Sequence, residues 1–151
     1  AGPPRAFEPS DLLGQRRDPP GARRRRGRSG AVVYGGAVTT GAGHVEWGIE
    51  RTIDAVVGVD PARVADVLAI FGNAHRVRML LAMLDGPRTA AELQRVVGGR
   101  SPGPMYHHLR DLLALGVVVQ VDKRYAVPGR HVVPILTALN LALELGAARP
   151  A

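Results

Sequence analysis

The chain has 151 residues, 46% of them apolar, with six aromatics and no cysteine; one domain with an aliphatic core is expected, and disulfides and thiolate metal sites are excluded. The formal net charge of +7 is uneven: residues 1–30 carry eight arginines against Glu8, Asp11 and Asp18, whereas basic and acidic residues nearly balance over the remainder. No stretch approaches the roughly 20 apolar residues of a membrane span, and the first residues lack the apolar core of a secretory signal.

Residues 1–30, rich in Pro, Gly and Arg and without hydrophobic periodicity, are expected to form a disordered basic tail. Arg23, Arg24, Arg25, Arg26 and Arg28 suit a solubilising segment with non-specific affinity for nucleic acid, or an arm that enters a narrow minor groove. Over residues 31–59 the pattern changes. Val32, Tyr34 and Val38 alternate with smaller residues, and Val45, Trp47 and Ile49 alternate with His44, Glu46 and Glu50 beyond the turn-like Thr40-Gly41-Ala42-Gly43. Period-two patterning around a glycine turn predicts a β-hairpin with one buried face. Two strands alone are marginal in water, so the hairpin must pack on the rest of the chain or on a partner. Tyr34 and Trp47 are read as packing residues, the alternative being the lining of an effector pocket.

Residues 60–131 read as a run of short helices followed by a second hairpin. Asp60-Pro61 is an N-cap and first-turn pair, with Val64, Val67, Leu68 and Phe71 as the expected apolar stripe. Asn73 caps the next helix, whose expected buried face is Val77, Leu80, Leu81 and Leu84, and Asp85-Gly86-Pro87 ends it. Thr89 and Glu92 have capping-box spacing, so a helix starts near Ala90, buries Ala90, Leu93 and Val97, and stops at Gly98-Gly99. Ser101-Pro102 then reads as an N-cap with a first-turn proline. The helix it opens has Met105, Leu109, Leu112 and Leu113 as its stripe and Gly116 as its end. Two helices around a tight turn predict a helix-turn-helix, in which the second helix can lie in the major groove of DNA. The β-type runs Val117–Val121 and Tyr125–Val127, joined by Asp122-Lys123-Arg124, predict a wing with a cationic tip. Residues 132–147 repeat Val132, Ile135, Leu136, Leu139 and Leu143 at helical spacing. With no core evidently left for so apolar a helix, Ile135, Leu136, Leu139 and Leu143 are expected at a dimer interface. The fold class is therefore mainly α with a small β component: a winged helix-turn-helix domain preceded by an N-terminal β-hairpin.

Phe71-Gly72-Asn73-Ala74-His75-Arg76-Val77-Arg78-Met79-Leu80, Thr89-Ala90-Ala91-Glu92-Leu93, Tyr106-His107-His108-Leu109 and Leu115-Gly116-Val117-Val118, in this order and spacing, resemble the ArsR-type winged-helix transcriptional regulators over roughly residues 60–147. The resemblance implies a homodimeric DNA-binding repressor or activator with terminal helices at the dimer interface, and for Arg76 a structural or phosphate-facing role. One departure stands out. Where such proteins carry small polar residues at the start of the recognition helix, this chain has Pro102, Gly103 and Pro104, which offer bases no side-chain hydrogen bonds. The candidate DNA contacts are Arg100, Ser101 and Gly103 at the turn, Tyr106, His107 and Arg110 on the helix, and Lys123 and Arg124 on the wing, with DNA shape and phosphate contacts supplementing direct readout.

His107-His108 invites a metal reading, but adjacent helical residues point about 100° apart and cannot easily face one ion. His131 and Glu144 on the last helix are the other ligand types there, and no metal or cofactor is expected. Neither a Gly-Lys-Ser/Thr phosphate loop nor a Gly-x-Ser-x-Gly elbow occurs, so an enzyme is the least expected class. The expected function is that of a cytoplasmic, sequence-specific transcriptional regulator without catalytic activity, with double-stranded DNA, a second copy of itself and an unidentified small-molecule or protein effector as partners. The alternative is a winged-helix protein-interaction module that uses the N-terminal hairpin surface.

Overall fold

The computed structural model describes residues 30–99 and 101–147. The basic tail assigned to residues 1–30 lies outside the described residues except for Gly30, and so does Arg100. The described chain opens with two ten-residue strands, β1 (Ala31–Thr40) and β2 (Gly43–Thr52), paired antiparallel around the turn Gly41-Ala42. Tyr34 lies opposite Ile49, Gly36 opposite Trp47 and Val38 opposite Val45, so the apolar residues of both strands share one face. A short helix absent from the sequence reading, α1 (Ile53–Val57), follows directly, capped by the Thr52 hydroxyl.

Helix α2 (Pro61–Leu68) starts at the expected Asp60 cap, whose carboxylate accepts the Ala62 N–H at 3.0 Å. Its expected apolar stripe is not buried: Val64, Val67 and Leu68 are exposed, and Phe71 is half-buried. Ile70, just past the helix, enters the core instead. Helix α3 (Ala74–Leu84) is capped by Asn73 and buries Met79, Leu80, Met83 and Leu84. Leu81 is 44% exposed and Val77 only half-buried, so the buried face is rotated from the expected one. The methionines, longer and more adaptable than valine, reach the core from α3.

Strand β3 (Arg88–Thr89), not anticipated, runs into α4 (Ala90–Val97). Both arms of the capping box form: the Glu92 N–H donates to the Thr89 hydroxyl at 3.3 Å, and the Thr89 N–H donates to the Glu92 carboxylate at 2.7 Å. The Thr89 N–H, together with the Thr89 hydroxyl that donates to the same carboxylate oxygen at 2.9 Å, holds the Glu92 carboxyl below the ordinary carboxylate range. Gly98 at φ +76° and Gly99 at φ +98° end α4 in left-handed backbone that suits glycine. Helix α5 (Gly103–Ala114) begins one residue later than expected, with Pro102 at the boundary and the Ser101 hydroxyl accepting the Gly103 N–H at 3.4 Å. Strands β4 (Val119–Val121) and β5 (Arg124–Ala126) make the wing hairpin, to which β3 adds on the β5 side. The tip is narrower than the sequence suggested. Asp122 and Lys123 alone form the turn, both with positive φ, and Arg124 belongs to β5.

Helix α6 (Gly129–Ala147) starts three residues ahead of the expected boundary and contains Pro134. Its first half is core: Val132, Val133 and Ile135 are buried, and Ile135 belongs to the same buried cluster as Met79, Leu80, Leu109 and Leu112. Ile135 is therefore corrected from a dimer contact to a residue of the monomer core. Leu139 is partly buried against that core and Leu136 half-buried, whereas Leu143 is 73% exposed. The other side of α6 is covered by the hairpin, where Gly36 faces Val133 and Gly129 faces Val45. The order of layers is thus hairpin, α6, helix-turn-helix core, and the need of two strands for a supporting surface is met within the chain.

The hairpin turn rests on the end of α3. A Cβ at Gly41 would stand 2.7 Å from the Asp85 carbonyl oxygen, a backbone atom that cannot swing aside. Gly41→Ala is accordingly expected to lift the turn and destabilise the fold by about 1–3 kcal/mol, the usual cost of overpacking. A thermal melt checks it, and an unchanged midpoint would show that the turn does not bear on Asp85.

Candidate nucleic-acid interface

Helices α4 and α5 and the wing form the candidate interface. Their relative placement rests on Leu93 and Val97 from α4, Met105, Leu109 and Leu112 from α5, and Val118 and Tyr125 from the wing, all buried in one cluster. Burial of one stripe turns the opposite side of α5 outward. Tyr106, His107 and Arg110 are exposed there, and Tyr106 keeps 49% of its surface. Between this side of α5 and the wing runs a groove of about 440 Å³ lined by Gly103, Tyr106, His107, Leu109, Arg110, Leu113 and Tyr125.

Four of the eight candidate DNA residues, Gly103, Tyr106, His107 and Arg110, line this groove, and Lys123 and Arg124 lie on the wing. Ser101 is exposed in the turn, where its hydroxyl is engaged by Gly103. The wing cations differ in freedom. Lys123 is exposed at the tip, whereas the Arg124 guanidinium donates to the Pro87 carbonyl at 3.4 Å, which ties it to the segment before β3.

Several positioning residues escaped the sequence reading. The Gln94 side-chain amide donates to the carbonyls of Gly98, Gly99 and Ser101 at 3.2, 3.3 and 3.4 Å, which pins both ends of the helix-turn-helix turn from α4. A lone glutamine four residues before a Gly-Gly pair was the only available signal. Arg76 of α3 lies 3.5 Å from Asp111 of α5 and ties the two helices together, which is the structural role the resemblance allowed.

Behind His107, the rings of His75 and His108 stack with centroids 5.6 Å apart, and those of His107 and His108 lie 5.9 Å apart. Stacked rings present faces to each other and do not converge on an ion. Among the described residues no group of three or more His, Asp or Glu is placed to hold a metal. His131 and Glu144, thirteen residues apart on α6, are separated by roughly 20 Å of helix rise.

Burial holds His108 below the ordinary histidine pKa of 6.5, and the nearby charge of Arg76 and the rings of His75 and His107 push in the same direction, against Asp111. A group with a lowered folded-state pKa takes up protons more readily when unfolded, so its contribution to stability rises with pH. Stability is expected to fall as pH drops below about 6.5, levelling off beneath the folded-state value, and His108→Gln is expected to flatten that slope. Urea midpoints between pH 7.5 and pH 5 test this; equal slopes in the two proteins would clear His108 of the effect.

Residues 71–121, from the end of the α2 segment through β4, match the family described as a helix-turn-helix domain. No curated protein matches the chain. Among solved structures, the crystal structure of an ArsR family transcriptional regulator aligns with 61% of this chain and 98% of its own, at 18% identity and a TM-score of 0.42.

Proposed function

We propose, for a chain that carries an ArsR-like DNA-binding helix-turn-helix domain, that this transcriptional regulator acts as a homodimer in the cytoplasm and reads a palindromic site with α5 and the wing. The observation that carries the reading is the shared outward exposure of Tyr106, His107 and Arg110 beside a wing tipped by Lys123. In that pose α5 enters the major groove, the wing lies along the adjacent backbone, and Ser101 faces phosphates at the turn. The first turn of α5, Pro102-Gly103-Pro104, contributes shape and no side-chain donors, so contacts shift one turn along the helix.

Dimerisation is supported by apolar surface that the single chain leaves uncovered. Val64, Val67 and Leu68 on α2 and Leu141, Leu143 and Leu145 on α6 are all exposed, and large aliphatic faces of this kind commonly mark association sites. Of the residues expected at the interface, Leu143 remains available in full, Leu136 and Leu139 in part. Against the hairpin-based interaction reading, Tyr34 and Trp47 are half-buried and sit on the face turned toward α6. No described helix is long and apolar enough to cross a membrane.

A gel shift on the DNA upstream of the protein's own gene, with scrambled competitor, tests the reading; equal binding to both would reject sequence-specific recognition. The wing is tested by salt. Lys123→Ala is expected to weaken binding evenly across sequences and to lower the slope of log affinity against log salt by about 0.9, the value of one lost phosphate contact. Arg124→Ala, whose guanidinium is partly engaged by Pro87, is expected to do less. An unchanged slope in both variants would remove the wing from the interface.

A further inference from the structure

The recognition helix has one guanidinium, and the structure holds it in a defined way. Arg110 is the sole arginine or lysine between Gly103 and Ala114, and it is exposed on the outward side of α5. Its Nη2 lies 3.2 Å from His107 Nδ1. A guanidinium can only donate, so His107 Nδ1 is the acceptor in this contact. His107 Nε2 is 3.8 Å from Asp111 Oδ2, and the same carboxylate oxygen is 3.5 Å from Arg76 Nη1. Asp111 thus stands between Arg76 and His107 at ion-pair distances, and the contact within hydrogen-bond reach is the one between His107 and Arg110. Exposure falls along the chain toward its root, from 59% at the His107 side chain through 30% at Asp111 to 19% at Arg76. A long, flexible surface side chain is in this way held against His107, beside the α3–α5 junction.

We propose that Arg110 reads a guanine in the major groove, and that Arg76, Asp111 and His107 position it for that contact. The proposal rests on the DNA-reading role of α5 given above. Guanine presents two adjacent acceptors, O6 and N7, which match the paired donors of a guanidinium, whereas adenine places its N6 amino donors where O6 would be. The contact with His107 occupies one of the five guanidinium N–H groups and leaves a pair for the base. Restricting the side chain before binding reduces the freedom lost on contact. No other residue of the helix competes for this role with a fork of donors: the first turn is Pro-Gly-Pro, and the Gly103 N–H is taken by Ser101.

The test is selection of binding sites from a randomised duplex DNA library with the full chain and three variants. The wild-type protein is expected to enrich sites with a guanine in each half, preferred over adenine by on the order of ten-fold or more. Arg110→Lys keeps the charge and removes the fork; it is expected to lose the guanine preference while its affinity for unselected duplex stays within about two-fold, as a retained phosphate-type charge predicts. His107→Leu is expected to lose most of the preference. His107→Asn puts an amide oxygen near the place of Nδ1 and is expected to restore it, which a merely structural role for His107 would not produce. Both side chains replaced are exposed, and circular dichroism verifies folding. Guanine preference that survives in Arg110→Lys overturns the reader assignment, and preference that survives in His107→Leu overturns the positioning chain. A wild-type protein that enriches no sequence at all defeats the DNA-reading role itself, and this inference with it.

Discussion

Replacing both Leu143 and Leu145 with glutamate is expected to yield a folded monomer that no longer binds a palindromic site. Both side chains are more than 70% exposed, at 73% and 78%, so the substitutions leave the core of the single chain untouched. They lie two residues apart, about 200° around the helix, and together span both sides on which the end of α6 could dock. A leucine buried on association contributes roughly 1.5–3 kcal/mol, and a carboxylate in its place must be buried unpaired or hold the partner away. In the proposed dimer, dissociation also separates the two recognition helices, whose spacing must match successive turns of the duplex, about 34 Å apart. Light scattering coupled to size exclusion reads the outcome. A double variant that stays dimeric and binds normally would move the interface to Val64, Val67 and Leu68 of α2. Leu139→Glu is a poorer probe, because Leu139 packs partly against the core and its loss would unfold the chain as readily as divide a dimer.

The second large effect is expected from Leu109→Ala. Leu109 is 1% exposed and stands one turn from Met105 and close to Leu112, where α5 packs into the core shared with α3, α4 and the wing. Truncation of a buried leucine costs about 2–5 kcal/mol through lost transfer energy and the cavity left behind. Domains of this size are stable by only about 5–15 kcal/mol, so a large share of the total would go. The recognition surface would lose definition along with stability, since the outward aim of Tyr106, His107 and Arg110 depends on the inward anchoring of Leu109. A thermal melt and a gel shift at a temperature well below the melting point separate the two consequences. A midpoint within a degree of wild type would show that the surrounding side chains collapse into the space.

Local chemistry was legible wherever a residue type has few conformational options. The Asp60, Asn73 and Thr89 caps, the Thr89–Glu92 box and the Gly98-Gly99 stop depend on contacts within a few residues, and each is found where its pattern placed it. The hairpin at residues 31–52 was legible for the same reason, because alternation along a strand is a local property of the pleat. The outward residues Tyr106, His107 and Arg110 followed from the stripe Met105, Leu109 and Leu112, since helical geometry fixes one side once the other is buried.

What covers an apolar stripe was not legible. The α2 stripe and the α6 stripe look alike as sequence, yet Val64, Val67 and Leu68 are bare while Val132 and Ile135 are buried. The difference arises because α6 lies between the hairpin and the helix-turn-helix core, whereas the described chain leaves that side of α2 largely uncovered. Strand β3 escaped notice because two residues carry no periodicity, and only the neighbouring β5 edge makes them a strand. The chain linking Arg76, Asp111, His107 and Arg110 joins residues 34 positions apart in sequence, and only the crossing of α3 and α5 brings its ends together. Amino-acid sequence by itself determined which segments could be helix, strand or turn and which helix could face DNA, since those are short-range consequences of backbone sterics and apolar spacing. Tertiary structure alone decided which apolar faces are spent inside the molecule and which polar groups steer the recognition surface, since burial and long-range ion pairs exist only once distant segments have packed.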